Sequence, residues 1–392
     1  MHKKIYLLPV LFLALFSCTT TKVEQNKRPE FSSKNLNIVI LGDVMCHTQN
    51  FLTRDFNEIW KGIKDITVNS DLTIANIEAP VCDDRPFENY PTFNMQPSYP
   101  KAAIDAGVNV MTVANNHTND QGKDGIVSTS KWISETQNAY RDSKRPVYIN
   151  GLKTDLSTKA NALKSPVSYS YFEVKNFKVL FFGVTQILNT PSFNEFINYF
   201  PHTETGRKAL IEQVKKLKAD NPCDIFILAL HSDEPEYVLD IFPERREFYL
   251  ELLDAGVDIL WANHPHVPKP AEYIKKDGSR YADKVILYST GNTISGQRSR
   301  PNYENPLARR EYTGEGFAVS LSIAKSKTGI YIADYYRDYI TTFVDKEKQY
   351  LIKPLGKDFY DYLDANDFAA WKNYLIEREK ALNEIKDFTT CR

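Results

Sequence analysis

Ile104–Met111 reads IDAGVNVM and Leu253–Leu260 reads LDAGVDIL. In each, a helical stretch runs into a glycine suited to the left-handed position that closes a helix. A hydrophobic run of strand type begins at once and then opens into a polar loop, VANNHTND at Val113–Asp120 and WANHPHV at Trp261–Val267. This helix–glycine–strand unit, used twice, predicts strands fed by helices. It places both polar loops at the carboxyl ends of their strands, where open α/β sheets bind ligands.

The same alternation continues outward. Strands are predicted at Leu36–Leu41, Leu72–Ile77, Val108–Val113, Lys178–Val184, Ile225–Leu230 and Val257–Trp261, then at Val285–Tyr288 and Phe317–Ile323. Helical stretches lie between them at Pro100–Ala106, Gly125–Thr136, Gly206–Ala219 and Glu244–Asp254. The pattern predicts an α/β fold with largely parallel sheets. Val167–Val174 and Gly329–Tyr336 alternate apolar and polar residues, as antiparallel strands do. Asp361–Lys386 is charged and periodic, and predicts one or two surface helices packed through Leu363, Phe368, Trp371 and Leu375. The expected organisation is a main domain over residues 36–345 and a helical C-terminal extension over 346–392.

With 392 residues, 42% of them hydrophobic, the chain can bury a large core. Its 49 Lys and Arg nearly cancel 50 Asp and Glu, so no basic field recruits nucleic acid nonspecifically. The N-terminus reads as a targeting segment. His2, Lys3 and Lys4 precede an apolar stretch, Ile5–Phe16, too short to span a bilayer as a mature helix. It ends in LFSC, which resembles the lipobox of a bacterial lipoprotein. Residues 1–18 are therefore expected to be a signal peptide ending at a lipidated Cys18, and 19–35 a polar tether. The protein is expected in the cell envelope, lipid-anchored on the extracytoplasmic side of a bacterial membrane. Cys46 and Cys82 each lie a few residues beyond a predicted strand end; that spacing is compatible with a bridge and equally with a free buried pair.

Of the seven histidines, His2 lies in the leader, and five of the other six fall in or just after strand-end motifs. They are His47 in GDVMCH, His117 in ANNH, His231 in LALHSDE, and His264 and His266 in NHPH. Asp43 ends the first strand and Glu78 the second, in NIEAP. With the strands side by side, these groups converge on one rim of the sheet. Taken singly, each has an ordinary explanation as turn former, helix cap or solvated histidine. Their recurrence at strand ends does not. Carboxylate, imidazole and amide oxygen are the ligand types for Zn²⁺, Mn²⁺ or Fe²⁺, one ion or two. Such ions bind a phosphoryl oxygen and acidify a water.

GDVM, NIEAP, ANNHTNDQG, the strand-end His231, AGVDILWANHPHV and LYSTGN, in that order, resemble the bacterial capsule-synthesis CapA-type (poly-gamma-glutamate synthesis) family. That family is related to calcineurin-like metallophosphoesterases, and the resemblance spans about Asn35–Ile340. It implies a four-layer α/β/β/α sandwich with the site along the strand ends. It further implies metal ligation by Asp43, Glu78, Asn116, His231, His264 and His266, with His117 as acid or electrostatic stabiliser and Asp120 as its orienter. Gly291 and Asn292 close the same rim. The chain departs from the phosphoesterase first motif, Asp-x-His. Here Asp43 is followed by Val44 and Met45, so one metal position either lacks a ligand or borrows His47, four residues on. Asp233, Glu234 and Glu236 in HSDEPEY are further carboxylates that either add ligands or form a solvated loop.

Beyond Asn292 comes GQRSRPNYENPLARREYTGEG, with Arg298, Arg300, Arg309 and Arg310. So much arginine beside the rim reads either as a clamp for phosphate or carboxylate groups or as a solvated loop. The expected function is that of a membrane-anchored metal-dependent hydrolase or transferase acting on an anionic envelope polymer, poly-γ-glutamate-like, or on a phosphoester. The alternative is a non-catalytic lipoprotein that binds or tethers such a polymer.

Overall fold

The computed structural model of the chain describes residues 29–153 and 166–392. The leader, the tether up to residue 28 and the lipidation expected at Cys18 lie outside the described residues.

The strands are β1 (Leu36–Val44), β2 (Leu72–Ile77), β3 (Val110–Thr112), β4 (Tyr148–Asn150), β5 (Ser170–Val174), β6 (Phe177–Thr185), β7 (Ile225–His231), β8 (Ile259–Asn263), β9 (Ala271–Lys275), β10 (Lys284–Leu287), β11 (Asn292–Ile294), β12 (Glu315–Ser326), β13 (Gly329–Val344), β14 (Tyr350–Pro354) and β15 (Phe388–Cys391). They form two sheets. The first runs β14-β13-β12-β1-β2-β3-β4, with β11 also on β1, and the second runs β15-β9-β10-β8-β7-β6-β5. Parallel pairing joins β1 to β4 in one sheet and β6, β7, β8 and β10 in the other. The strands expected to be antiparallel are so, β5 against β6 and β13 against β12.

Why two sheets stack is visible in β1. Alternate side chains leave a strand on opposite faces. Ile38 and Ile40 meet Phe181, Ile227, Ile259 and Trp261 of the second sheet. Val39 and Leu41 face outward, into a core with Tyr99, Ala103, Ile126 and Trp132 from the helices Ser98–Asp105 and Gly122–Tyr140. On the far side, Leu228 and Leu230 of β7 pack against Leu210, Val214, Phe248 and Leu252 from the helices Glu204–Asp220 and Pro243–Asp254. The layers are therefore α/β/β/α. Each such side chain, fully buried, contributes about 1.5–3 kcal/mol.

The repeated unit closes in the same way twice. Gly107 and Gly256 sit at φ +105° and +124°. The Gly107 and Val108 amides donate to the Ile104 and Ala103 carbonyls at 2.8 and 3.0 Å. Those of Gly256 and Val257 donate to Leu253 and Leu252 at 3.2 and 3.3 Å. A side chain at either glycine is strained by that φ. The two units stand in different sheets, β3 in the first and β8 in the second. The single rim expected from sequence is thus two facing rims, one from each sheet.

The C-terminal helices are present at Lys357–Ala365 and Ala369–Asn383, packing Leu363, Trp371 and Leu375 under Phe343 of β13. The segment 346–392 also carries a strand at each end. It opens with β14 at the edge of the first sheet and closes with β15, parallel to β9 at the edge of the second. β15 has only four residues, FTTC, with half its side chains exposed, so it lacks the apolar run that marks a buried strand.

Candidate metal centre

The register of β1 sets the floor of the site. Asp43 lies level with Asn76 on β2 and with Asn292 on β11, and the Glu78 amide donates to the Val44 carbonyl at 3.0 Å. In the second sheet His231, the last residue of β7, is level with Asn263, the last of β8. The chain then turns through His264 and His266, both in the left-handed region at φ +100° and +57°. Non-glycine residues there are strained, and such strain concentrates where function fixes the backbone.

These side chains form overlapping sets of ligand atoms. Asp43, Glu78 and His266 each offer one ligand atom within 4.8 Å of the others, as do Glu78, His231 and His264. Glu78 belongs to both sets. Its Oε1 lies 3.7 Å from His231 Nε2 and 3.6 Å from His266 Nε2. Asn116 Oδ1 lies 2.9 Å from His231 Nε2 and so joins the second set. Glu236 makes a third set with His264 and His266, whereas the other acids of HSDEPEY turn away. Asp233 pairs with Arg245, and Glu234 with Lys269 and the Tyr249 hydroxyl.

Three buried atoms of this cluster lack a hydrogen-bond partner: Asp43 Oδ2, Glu78 Oε1 and His264 Nδ1. Asp43 Oδ2 lies 3.1 Å from His266 Nδ1, a nitrogen that also faces Asn292 Oδ1 at 3.1 Å. Buried orphans are costly and rare, and here they converge. Burial, then the Asp43 charge, pushes the Glu78 carboxyl well above its ordinary range. Burial holds His231 and His264 neutral, the form that ligates metal. Burial also presses on His266, but the Asp43 carboxylate outweighs it and raises the imidazole. A divalent cation would satisfy the orphaned atoms and relieve the repulsion between the two carboxyl groups, so the residues present fit such an ion.

His117 stands beside the cluster. Its Nδ1 lies 2.6 Å from Asp120 Oδ2, which also accepts the Phe93 amide at 2.9 Å, and its ring packs edge-on against Phe93 with centroids 4.7 Å apart. Burial raises the Asp120 carboxyl, and His117 opposes the shift.

Several residues that sequence reading passed over hold this arrangement. Asn76 Nδ2 donates to Asp43 Oδ1 at 2.8 Å and Glu78 Oε2 at 3.3 Å. Asn115 donates to Asn76 Oδ1 and the Ile77 carbonyl at 3.2 and 2.8 Å. Asn189 Oδ1 accepts from Asn116 Nδ2 at 3.1 Å while its own Nδ2 lies 3.1 Å from His117 Nδ1. A usable signal existed only for Asn76, a polar residue inside the otherwise apolar run LTIANI.

Other expected site residues stand elsewhere. Asn292 is buried and spends its amide nitrogen on Gln297 Oε1 and the Thr313 carbonyl, so it orients His266 rather than meeting substrate. Arg298 points inward, and both of its terminal guanidinium nitrogens are engaged, by Glu315, Thr341, the Thr342 carbonyl and Tyr374. It is not free to clamp an anion. Arg300 is exposed, next to Ser299, whose carbonyl accepts the Tyr350 hydroxyl. Arg309 is exposed, and Arg310 lies over the Tyr237 ring, 5.4 Å from its centroid, with Tyr237 in turn 6.5 Å from the His266 ring. Arg310 alone of the four reaches the mouth of the cluster. His47 is in none of the ligand sets. Its Nδ1 accepts the Gly296 amide at 3.1 Å, and burial, then His266, His117 and Arg310, lower its pKa to about 3. Cys46 and Cys82 are both buried and free.

Comparison with known proteins finds relatives along most of the chain. The family model described as "Bacterial capsule synthesis protein PGA_cap" matches residues 37–297, a span that contains every ligand of the cluster. The "Capsule biosynthesis protein CapA" of Bacillus anthracis is 23% identical over 335 residues, covering 80% of this chain and 73% of that protein. The "PGA biosynthesis protein CapA" of Bacillus subtilis (strain 168) is 25% identical over 305 residues, 74% of this chain and 71% of the relative. Among solved structures, the calcineurin-like phosphoesterase YfkN from Bacillus subtilis superposes with a TM-score of 0.41 at 12% identity, covering 78% of this chain and 91% of that one. With most of its length and its whole cluster inside the family match, the chain belongs to the bacterial capsule synthesis proteins of the PGA_cap family.

Proposed function

We propose that this protein is a membrane-anchored, metal-dependent hydrolase or transferase acting on an anionic envelope polymer or phosphoester. The observation that supports it is Glu78, a buried carboxyl with an unpartnered oxygen shared by two sets of ligand atoms. Asp43, Glu78 and His266 would hold one ion, and Glu78, Asn116, His231 and His264 a second. Ions of the Mn, Zn or Fe class supply Lewis acidity, polarising a phosphoryl or carbonyl oxygen and acidifying a water. The chain's own contribution is positional. Asp120 fixes the His117 ring and its tautomer, leaving Nε2 as the proton-handling atom for the leaving group. The His117 side chain is itself buried and packs edge-on against Phe93. Arg310 meets the anionic part of the substrate.

Elemental analysis of Thr19–Arg392, paired with turnover of a bis-aryl phosphate, tests this. Stoichiometric metal is expected. His117→Ala should lower turnover by about 10²–10⁴ with metal content retained. A well-folded protein that neither holds metal nor turns over substrate with any added Mn, Zn or Fe would overturn the proposal.

The anchor is part of the same reading. β1 enters at Leu36 and reaches the cluster at Asp43, roughly 23 Å along a strand rising about 3.3 Å per residue. A tether at its start therefore joins the domain at the end of β1 opposite the site. No described helix is long and apolar enough to cross a bilayer. Cys18→Ala should move the protein from the membrane fraction to the soluble one. Retention on the membrane would refute lipidation at that thiol.

A further inference from the structure

The mouth of the cluster carries two aromatic faces, one from each sheet. On the side of the first sheet stands Tyr90, 67% exposed, its ring centroid 6.5 Å from His117 and 6.3 Å from Phe93. Of the large apolar side chains described, only Leu52 is as exposed, and it has no ring contact with the cluster. On the side of the second sheet stands Tyr237, 6.5 Å from His266 and held in place on three sides. Its amide donates to the Pro265 carbonyl at 2.9 Å, its backbone sits at φ +62°, and Arg310 lies over one face of its ring. A tyrosine with a left-handed backbone is an uncommon and costly arrangement, kept where the side chain's direction matters. Tyr90 meets the cluster at His117 and Tyr237 meets it at His266, so the two tyrosines border it from opposite sheets.

Arg310 lies past the last residue of the family match, 297. The guanidinium at this mouth is therefore supplied by a segment outside the matched region.

Two ring faces and one guanidinium above a cation-binding floor select a particular shape. We infer that the opening takes a phosphoester whose esterified group is a ring, with the ring lying against Tyr90 and Tyr237 and Arg310 pairing with the phosphate. This rests on the phosphoester branch of the function proposed above and narrows it. An aromatic face stacks on the flat face of a sugar or a base, and the phenol tips serve ring hydroxyls or ring nitrogens. A linear γ-glutamyl chain offers carboxylates to Arg310 but nothing to the two rings. An exposed tyrosine held beside a proton-handling histidine is then explained as a surface that a ligand covers.

Equilibrium titration calorimetry on the manganese-loaded full chain separates these cases. The probes are glucose 1-phosphate, adenosine 5′-monophosphate, glycerol 3-phosphate and a γ-glutamyl oligomer. At least one ring phosphate should bind about tenfold more tightly than glycerol 3-phosphate. Whichever of the two ring probes is preferred identifies the ring as sugar or base. Tyr90→Ala, a change at an exposed position, should erase that preference. Arg310→Ala should weaken all three phosphates alike and flatten their salt dependence. Equal binding of linear and ring phosphates, a γ-glutamyl oligomer preferred over both, or an equal loss for every probe in Tyr90→Ala would overturn the inference. The readout does not need turnover. Ring preference without hydrolysis would defeat the hydrolase reading and leave the ring subsite standing, whereas hydrolysis without ring preference would do the reverse.

Discussion

Glu78→Gln is expected to empty the metal centre while leaving the metal-free fold as stable as the parent, or more so. The two halves of this expectation have one cause. Glu78 is completely buried, its Oε1 has no partner, and Asp43 stands beside it. Without metal the two carboxyl groups repel and Glu78 is driven toward its neutral form, so a neutral amide of the same shape costs little. With metal, Glu78 is the carboxylate common to both ligand sets. Losing a mere orienting partner typically lowers metal affinity about 10–100-fold, and losing the shared ligand should exceed that. Metal content should fall from stoichiometric to a small fraction. Thermal melts supply the second readout, because an ion at about 1,000 times its Kd stabilises the native state by about 4 kcal/mol. The parent should lose that increment on chelation and Glu78→Gln should have none to lose. A variant that keeps its metal, or that melts well below the chelated parent, would remove Glu78 from the centre of the site.

What the sequence made legible follows from which interactions are local. The two DAGV units announced themselves because helix, cap and strand are contiguous, and the glycines at φ +105° and +124° report that local geometry directly. The ligand histidines were visible because strand ends repeat the same context. The division of labour among neighbours was not visible. Glu236 faces His264 and His266 while Glu234, two residues earlier, pairs with Lys269 under the loop, and period alone cannot say which carboxylate turns which way. Asn189 was invisible for a different reason. It acts through the loop after β6, whose proximity to Asn116 and His117 exists only once the two sheets face each other. Arg298 shows the converse failure, since a charged residue in a polar stretch reads as exposed. It is buried because its partners Glu315, Thr341 and Tyr374 arrive from three later elements.

That buried arginine leads to the largest stability effect expected here. Glu315, at the start of β12, accepts Arg298 at Oε1 and Arg378 at Oε2, the latter with 3.0 and 2.7 Å bonds from Nε and Nη2. All three side chains are essentially without solvent. Arg378 and Tyr374 lie four residues apart on the helix Ala369–Asn383 and so share a face. Tyr374 donates to Glu311 at 2.6 Å, and Arg378 Nη1 donates to the Pro306 carbonyl at 2.8 Å. One carboxylate thus ties the loop containing Arg298, the sheet and the C-terminal helix together. Glu315→Gln leaves two buried guanidinium groups without their main counter-charge. Breaking one side of a buried pair costs about 3–5 kcal/mol, and denaturant unfolding should show a loss of that size. The metal cluster shares no ligand with this network, so folded Glu315→Gln protein should still take up metal. Arg298→Ala should likewise lower stability while leaving phosphate binding unchanged, in contrast to Arg310→Ala. If Glu315→Gln unfolded at the parent's midpoint, or if Arg298→Ala weakened phosphate binding in protein of unchanged stability, Arg298 would return to the mouth of the site, and the separation drawn between a structural arginine and a substrate-facing one would fail.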